Sequence, residues 1–198
     1  MLPLPSSVVL RGLALLILAA LPLIAGCPYG PRDLASYPPA ERSPYVLPFL
    51  PGKARLCVQG NNGSISHNGS SEFSYDFYMP EGTPVTAARA GVVISVREDS
   101  NRLGRGFNNV VRVEHEDGDV SSYVHLMPQG ALVEVGQVVE RGEVIARSGW
   151  TGYAALPHLH FHVSRGGRQV PIRFRDVAED EGVPRTGFFY RAQGPGPR

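Results

Sequence analysis

A chain of 198 residues has room for one folded domain plus appendages, and a domain of that size buries a core without disulfide staples. Its 19 Lys and Arg nearly cancel its 18 Asp and Glu, and no segment gathers cations on one side, which excludes a nucleic-acid partner. Gly (23) and Pro (18) are frequent and long apolar stripes at helical period are missing, so the fold class expected is mainly β, short strands joined by turns.

The first element reads as an address. From Gly12 to Gly26 the chain is uncharged and mostly Leu, Ala and Ile. At 15 residues this run is short for a helix spanning a bilayer, which takes roughly 20, and it fits a signal peptide over residues 1–26. It ends Leu23-Ile24-Ala25-Gly26-Cys27, which resembles the bacterial lipobox, where a small residue precedes a Cys that is lipidated and becomes the mature N-terminus. That resemblance implies a lipid anchor at Cys27 and a place on a membrane of the bacterial cell envelope, facing the periplasm or the exterior. Cys57 is then left without an intramolecular partner and is expected to be a buried apolar thiol; a Cys27–Cys57 bridge is the competing arrangement.

Residues 27–44 mix Pro with charges, have no periodic apolar face and read as a flexible tether. The folded domain is expected over 45–191, with a disordered tail at 192–198. Within it, Val85, Ala87 and Ala88 followed by Val92 to Val96 predict two short strands meeting near Gly91. Residues 109–114 and 120–126 flank the Asp117-Gly118 turn and predict a hairpin. Further strands are predicted at 144–148 and 159–164.

Three of the six histidines stand in Pro157-His158-Leu159-His160-Phe161-His162. A strand sends residues two apart to one face, so these imidazoles project together while Leu159 and Phe161 face the other way. Neutral imidazoles crowded on one face suit a divalent metal, whereas protonated ones repel. In Tyr123-Val124-His125-Leu126 the same period places the phenol of Tyr123 and the imidazole of His125 on a shared face. Asp76, between Tyr75 and Phe77, is a carboxylate in an aromatic strand; burying it requires a salt bridge or a metal.

These pieces together, from about Gln59 to Val163, resemble the lysostaphin-type (LytM-like) zinc metallopeptidases. The ordered features are a His before Asp76-Phe77, Gly82-Thr83-Pro84-Val85 with Ala87-Ala88 and Gly91-Val92-Val93, Asn109 ahead of a strand ending in His115, Tyr-x-His-Leu at 123–126, Ser148-Gly149 with Thr151-Gly152, and Pro157-His158-Leu159-His160-Phe161. The resemblance implies an antiparallel β-sheet domain and one zinc ion per chain held by His67, Asp76 and His160. His125 and His158 match the family's non-ligand catalytic histidines. Asn109 and Tyr123 are candidate substrate-binding residues, with a turn role for Asn109 and packing in the sheet for Tyr123 as the alternatives, and His115 and Gln59 are read as structural. The implied activity is hydrolysis of peptide bonds in peptidoglycan by a monomeric, membrane-anchored endopeptidase.

The chain departs from the family's compact first motif. His67 and Asp76 are nine apart, with Gly69-Ser70-Ser71 between them, and His162 occupies a place where the family commonly shows an acid. The rival reading is a non-catalytic LytM-like envelope protein that binds peptidoglycan or activates cell-wall amidases. A second rival is a lipoprotein that stores or senses metal through its histidines. A serine hydrolase or a nucleotide binder lacks support, since there is no Gly-x-Ser-x-Gly and no phosphate loop.

Overall fold

The structure is a computed structural model that describes residues 34–104 and 106–194. Twelve strands carry it among the described residues: β1 (Ala54–Gln59), β2 (Ser74–Tyr78), β3 (Pro84–Thr86), β4 (Gly91–Arg97), β5 (Val110–Glu114), β6 (Asp119–Val124), β7 (Leu126–Ala131), β8 (Val138–Val139), β9 (Val144–Ser148), β10 (His158–Arg165), β11 (Arg168–Gln169) and β12 (Phe189–Arg191). The helical pieces among them are short 3-10 turns.

Nine strands form one antiparallel sheet in the order β12-β1-β2-β10-β6-β5-β4-β8, with β11 paired to β10. The other three form a small sheet, β3-β9-β7. Alternation explains how the large sheet packs. In β10, Leu159, Phe161 and Val163 are fully buried, whereas His160 and His162 on the opposite face are partly open. Phe77, Tyr123, Val111 and Val113 extend the buried face across β2, β6 and β5, and Val85, Leu126 and Ile145 of the small sheet join the same core. The strands predicted at 84–96 do form, yet they belong to different sheets: β3 pairs with β9 and β4 with β5. Cys57 is a free, fully buried thiol on this core, and burial pushes its pKa up.

Residues expected in the tether and the tail are partly docked. Tyr37 is buried, its ring meets the edge of Phe73 at 6.0 Å, and its hydroxyl accepts a hydrogen bond from Asn61 Nδ2 at 2.8 Å. Ser43 Oγ donates to the Arg173 carbonyl, and Arg173 reaches back to the Leu34 carbonyl at 3.0 Å. Pro-rich composition concealed this segment because a single aromatic anchor has no period. At the other end Ala192 is buried and exchanges backbone hydrogen bonds with Gly52 and Lys53. The signal peptide, Cys27 and residues 195–198 lie outside the described residues.

Docking of the 34–43 segment is testable. Replacing Tyr37 with Ala removes a buried ring and leaves Asn61 Nδ2 with one partner fewer, so urea unfolding should show a loss of about 3 kcal/mol. A change within about 0.5 kcal/mol, the size typical of a free surface residue, would show that the segment is not anchored.

Candidate active site

The site grows from adjacency in the large sheet. β2 lies between β1 and β10, with Gln59 opposite Asp76 on one side and His160 opposite it on the other. Val124 of β6 stands across from His160, Val110 of β5 across from Val124, and Arg97 of β4 across from Val110. One row therefore runs from Asp76 to Arg97 on the face away from the core. A groove of about 600 Å³ lies over it, lined among others by Gln59, Ile65, Asp76, Arg97, Leu103, Arg112, His125, Tyr153, His158, His160 and His162.

Asp76 is the centre. Its carboxylate lies 3.1 Å from His67 Nε2, 2.8 Å from His160 Nδ1 and 3.5 Å from His158 Nε2, and Gln59 Nε2 donates to it at 3.4 Å. Burial alone would raise its pKa, but the facing imidazoles, His158 and His67 first, hold it well below the usual carboxylate range. His67 comes from the loop after β1. The Gly69–Ser71 insertion folds into an exposed 3-10 turn, which absorbs the extra length and returns the chain to β2 with His67 beside Asp76.

The donor set fits a metal ion. His67 Nδ1 lies 3.0 Å from the Gly60 carbonyl, which can only accept, so Nδ1 carries the proton and Nε2 presents a lone pair. That Nε2 is buried, makes no hydrogen bond and faces an Asp76 oxygen at 3.1 Å. A ring nitrogen and a carboxylate oxygen at that separation need positive charge between them, from a second ring proton or from a bound cation. His67, Asp76 and His160 each offer a ligand atom, and these atoms all fall within 4.8 Å of one another. Three protein ligands of N, N and O type match a catalytic zinc site with a coordination position left open.

His125 and His158 are held differently. His158 Nδ1 donates to the Leu156 carbonyl at 2.8 Å, and His125 Nδ1 donates to the Thr151 carbonyl at 2.7 Å. Each ring is thereby fixed through Nδ1, which turns Nε2 away from the carbonyl; that of His158 lies 3.5 Å from Asp76. Their centroids are 4.5 Å apart. Burial and the neighbouring imidazoles of His158 and His160 push the His125 pKa down to about 3, so it is neutral. For His158 burial works the same way, but the Asp76 charge outweighs it and the pKa rises. His162 Nδ1 lies 3.2 Å from His160 Nε2; burial, His160 and then Arg112 lower its pKa to about 3.

Two predicted residues are not brought to the groove. Tyr123 is fully buried, its hydroxyl accepts from the Ala88 N–H at 2.7 Å and its ring packs on Phe161. The predicted sharing of a face with His125 fails because β6 ends at Val124 and His125 takes a positive φ of 63°. That left-handed residue turns the imidazole out of the core face it would occupy on a continuous strand. Asn109 is fully buried too. Its amide donates to the Ser100 carbonyl at 2.7 Å and its side-chain oxygen accepts from the Ser100 N–H at 3.0 Å, which makes it a loop clamp rather than a substrate contact. His115 bridges the Ala90 carbonyl and Ser121 Oγ away from the groove.

Gln59, read as structural, instead lies in the site. Its amide nitrogen contacts Ser66 Oγ at 2.7 Å and Asp76, and its oxygen accepts from the Ile65 and Ser66 N–H groups, tying the His67 loop to the carboxylate. Its position at the end of a strand before an Asp-bearing strand was the one available signal. Thr151 was given no role by the sequence. Its hydroxyl donates to the Leu126 carbonyl at 2.9 Å and accepts from the Asn109 N–H at 3.1 Å, while its own carbonyl holds His125. Gly152 follows with φ 79°, and a Cβ there would collide with the Asn108 side chain.

Residues 70–172, just over half of the chain, match Peptidase family M23. The chain belongs to that family. Among relatives of this M23 chain, the peptidoglycan DD-endopeptidase ShyA of Vibrio cholerae is 37% identical over 119 residues, covering 60% of the chain and 25% of ShyA. Lysostaphin of Staphylococcus simulans is 36% identical over 94 residues, 48% of the chain and 18% of lysostaphin. A crystal structure of a zinc-containing peptidase from Vibrio cholerae superposes with a TM-score of 0.52 at 33% identity, covering 66% of this chain and 39% of that one. The chain thus spans a quarter or less of the length of these two curated relatives. The family match begins three residues after His67, so that residue's place beside Asp76 is a result of the geometry.

Thr151→Val keeps the shape and removes the hydroxyl, leaving the Leu126 carbonyl and the Asn109 N–H unpaired. Unfolding measurements should show a loss of about 1–3 kcal/mol. No loss would show that this hydroxyl does not hold the loop that carries His125.

Proposed function

We propose that this chain is a zinc-dependent endopeptidase that cleaves peptide bonds in peptidoglycan, with His67, Asp76 and His160 as metal ligands and His125 and His158 as catalytic residues. The observation that carries the reading is the pair of imidazoles, each pinned through Nδ1 to a backbone carbonyl, beside a donor set whose buried His67 Nε2 makes no hydrogen bond and faces Asp76 at 3.1 Å. Zinc bound there would supply Lewis acidity, polarising the scissile carbonyl and making water a nucleophile at neutral pH.

The protein's own groups do the rest. The groove holds an extended peptide across the row from Asp76 to Arg97, which fixes the bond near the imidazoles of His125 and His158. One of His125 and His158 takes a proton from the attacking water, and the other donates to the developing oxyanion or to the leaving amine. Gln59 and the Gly60 carbonyl keep Asp76 and His67 oriented. The lipobox-like Leu23 to Cys27 supports anchoring to a membrane of the cell envelope, where this substrate lies.

The non-catalytic rival requires a defective site, and each of the five proposed positions here carries a side chain able to do its part. The two readings separate on purified peptidoglycan. The zinc-supplied chain should release soluble peptides, whereas His158→Ala should lose at least about 100-fold in rate, the usual size of a proton-transfer contribution, with its zinc content unchanged. Zinc lost together with activity would make His158 a ligand and reject the division of roles. Asp76→Ala should lose zinc, and an Asp76→Ala protein that keeps full zinc would remove Asp76 from the ligand set.

A further inference from the structure

The groove carries charge that neither the metal site nor the proton-transfer pair uses. Arg112 stands across from Ser122, and Ser122 across from His162, so Arg112 lies two strands from His162 on the same face. At a strand spacing of about 4.8 Å its Cα is about 10 Å from that of His162. Arg97 lies one strand further, where its Nε donates to the Asn108 carbonyl at 2.6 Å and its remaining donors are not taken by any acid. Both line the groove, and neither forms an ion pair among the described residues. The acid among the lining residues is Asp76, already surrounded by imidazoles. Glu114 shares a strand face with Arg112 but lies one row away and does not line the groove.

This concentration is selective, since the chain as a whole carries a formal charge of only +1. A guanidinium presents planar paired donors that match a carboxylate, and its value rises in a partly enclosed groove. Arg112 is two strands and two residues from the proposed ligand His160, about 12 Å between Cα atoms, and an extended peptide advancing about 3.4 Å per residue covers that in about four residues.

We propose that Arg112, with Arg97 beside it, forms an anion-recognition subsite that selects peptides carrying a carboxylate within about four residues of the cleaved bond. This rests on the peptidase reading for the position of that bond; the preference for a carboxylate rests on the two guanidinium groups. The carboxylate comes either from a side chain or from a free C-terminus, and the subsite is an element of substrate specificity, not of bond breaking.

The test uses the zinc-supplied chain and a synthetic cross-linked peptidoglycan peptide in three forms: all carboxylates free, side-chain carboxylates amidated, or C-terminal carboxylates amidated. Kd is read by fluorescence anisotropy and initial hydrolysis rates are read in parallel. One of the two amidations should raise Kd about tenfold, which identifies the source of the recognised group. R112Q should weaken binding of the free acid by the same factor and bind all three forms alike, and R112K should recover part of the preference. The subsite is overturned if the free acid does not bind, if neither amidation moves Kd beyond about twofold, or if R112Q discriminates as the native chain does. Failure of the chain to hydrolyse any form, with the acid preference intact, would count against the peptidase reading and support the subsite.

Discussion

A buried carboxylate in the middle of a β-sheet is the constraint around which this structure is arranged. Asp76 is nearly closed to solvent, and an ionised carboxylate in that setting is strongly disfavoured unless cations or donors surround it. His67, His158 and His160 converge on it, and Gln59 closes the fourth side. Each partner arrives by a different route: His160 and Gln59 through strand pairing on either side of β2, His158 through the same β10 strand two residues earlier, and His67 through a loop locked by Gly60 and Gln59. The sheet order β1-β2-β10 is therefore inseparable from the chemistry of the site. The lone pair of His67 facing an Asp76 oxygen is the point at which protein groups alone do not complete the arrangement.

Around that centre the chain holds its imidazoles from different segments. His67 is fixed by a backbone carbonyl and turned inward to Asp76, and His160 meets the same carboxylate through Nδ1. His125 and His158 are fixed by carbonyls of the 151–156 segment, on the groove side. Backbone carbonyls set tautomer and orientation in advance, which suits proton transfer that has to occur in one geometry. The groove continues past these rings to two arginines on neighbouring strands of the same sheet.

Much of this was legible because strand alternation is a strict code. His158, His160 and His162 share one face with Leu159 and Phe161 on the other, as their spacing requires, and the hairpin around Asp117-Gly118 forms where its turn residues indicate. The code failed where the backbone left the strand. Tyr123 and His125 are two apart, but the positive φ at His125 places one in the core and the other in the groove, and no pattern of residue types announces that turn. Asn109 was ambiguous between substrate and loop because an amide serves either, and only its reciprocal bonds with Ser100 decide. Tyr37 was hidden by its Pro-rich surroundings, and Thr151 and Gln59 act through neighbours that are distant in sequence. Family membership in M23 places the fold and the likeness to peptidoglycan endopeptidases, while the roles of single residues rest on this geometry.

The proposed chemistry depends on a zinc ion completing the cluster of His67, Asp76 and His160. The most direct test is elemental analysis of the purified native chain after zinc supplementation and removal of loosely held metal, because it needs no knowledge of the bond that is cut. About one tightly held zinc per chain is expected. A folded chain that retains no zinc under these conditions would contradict it.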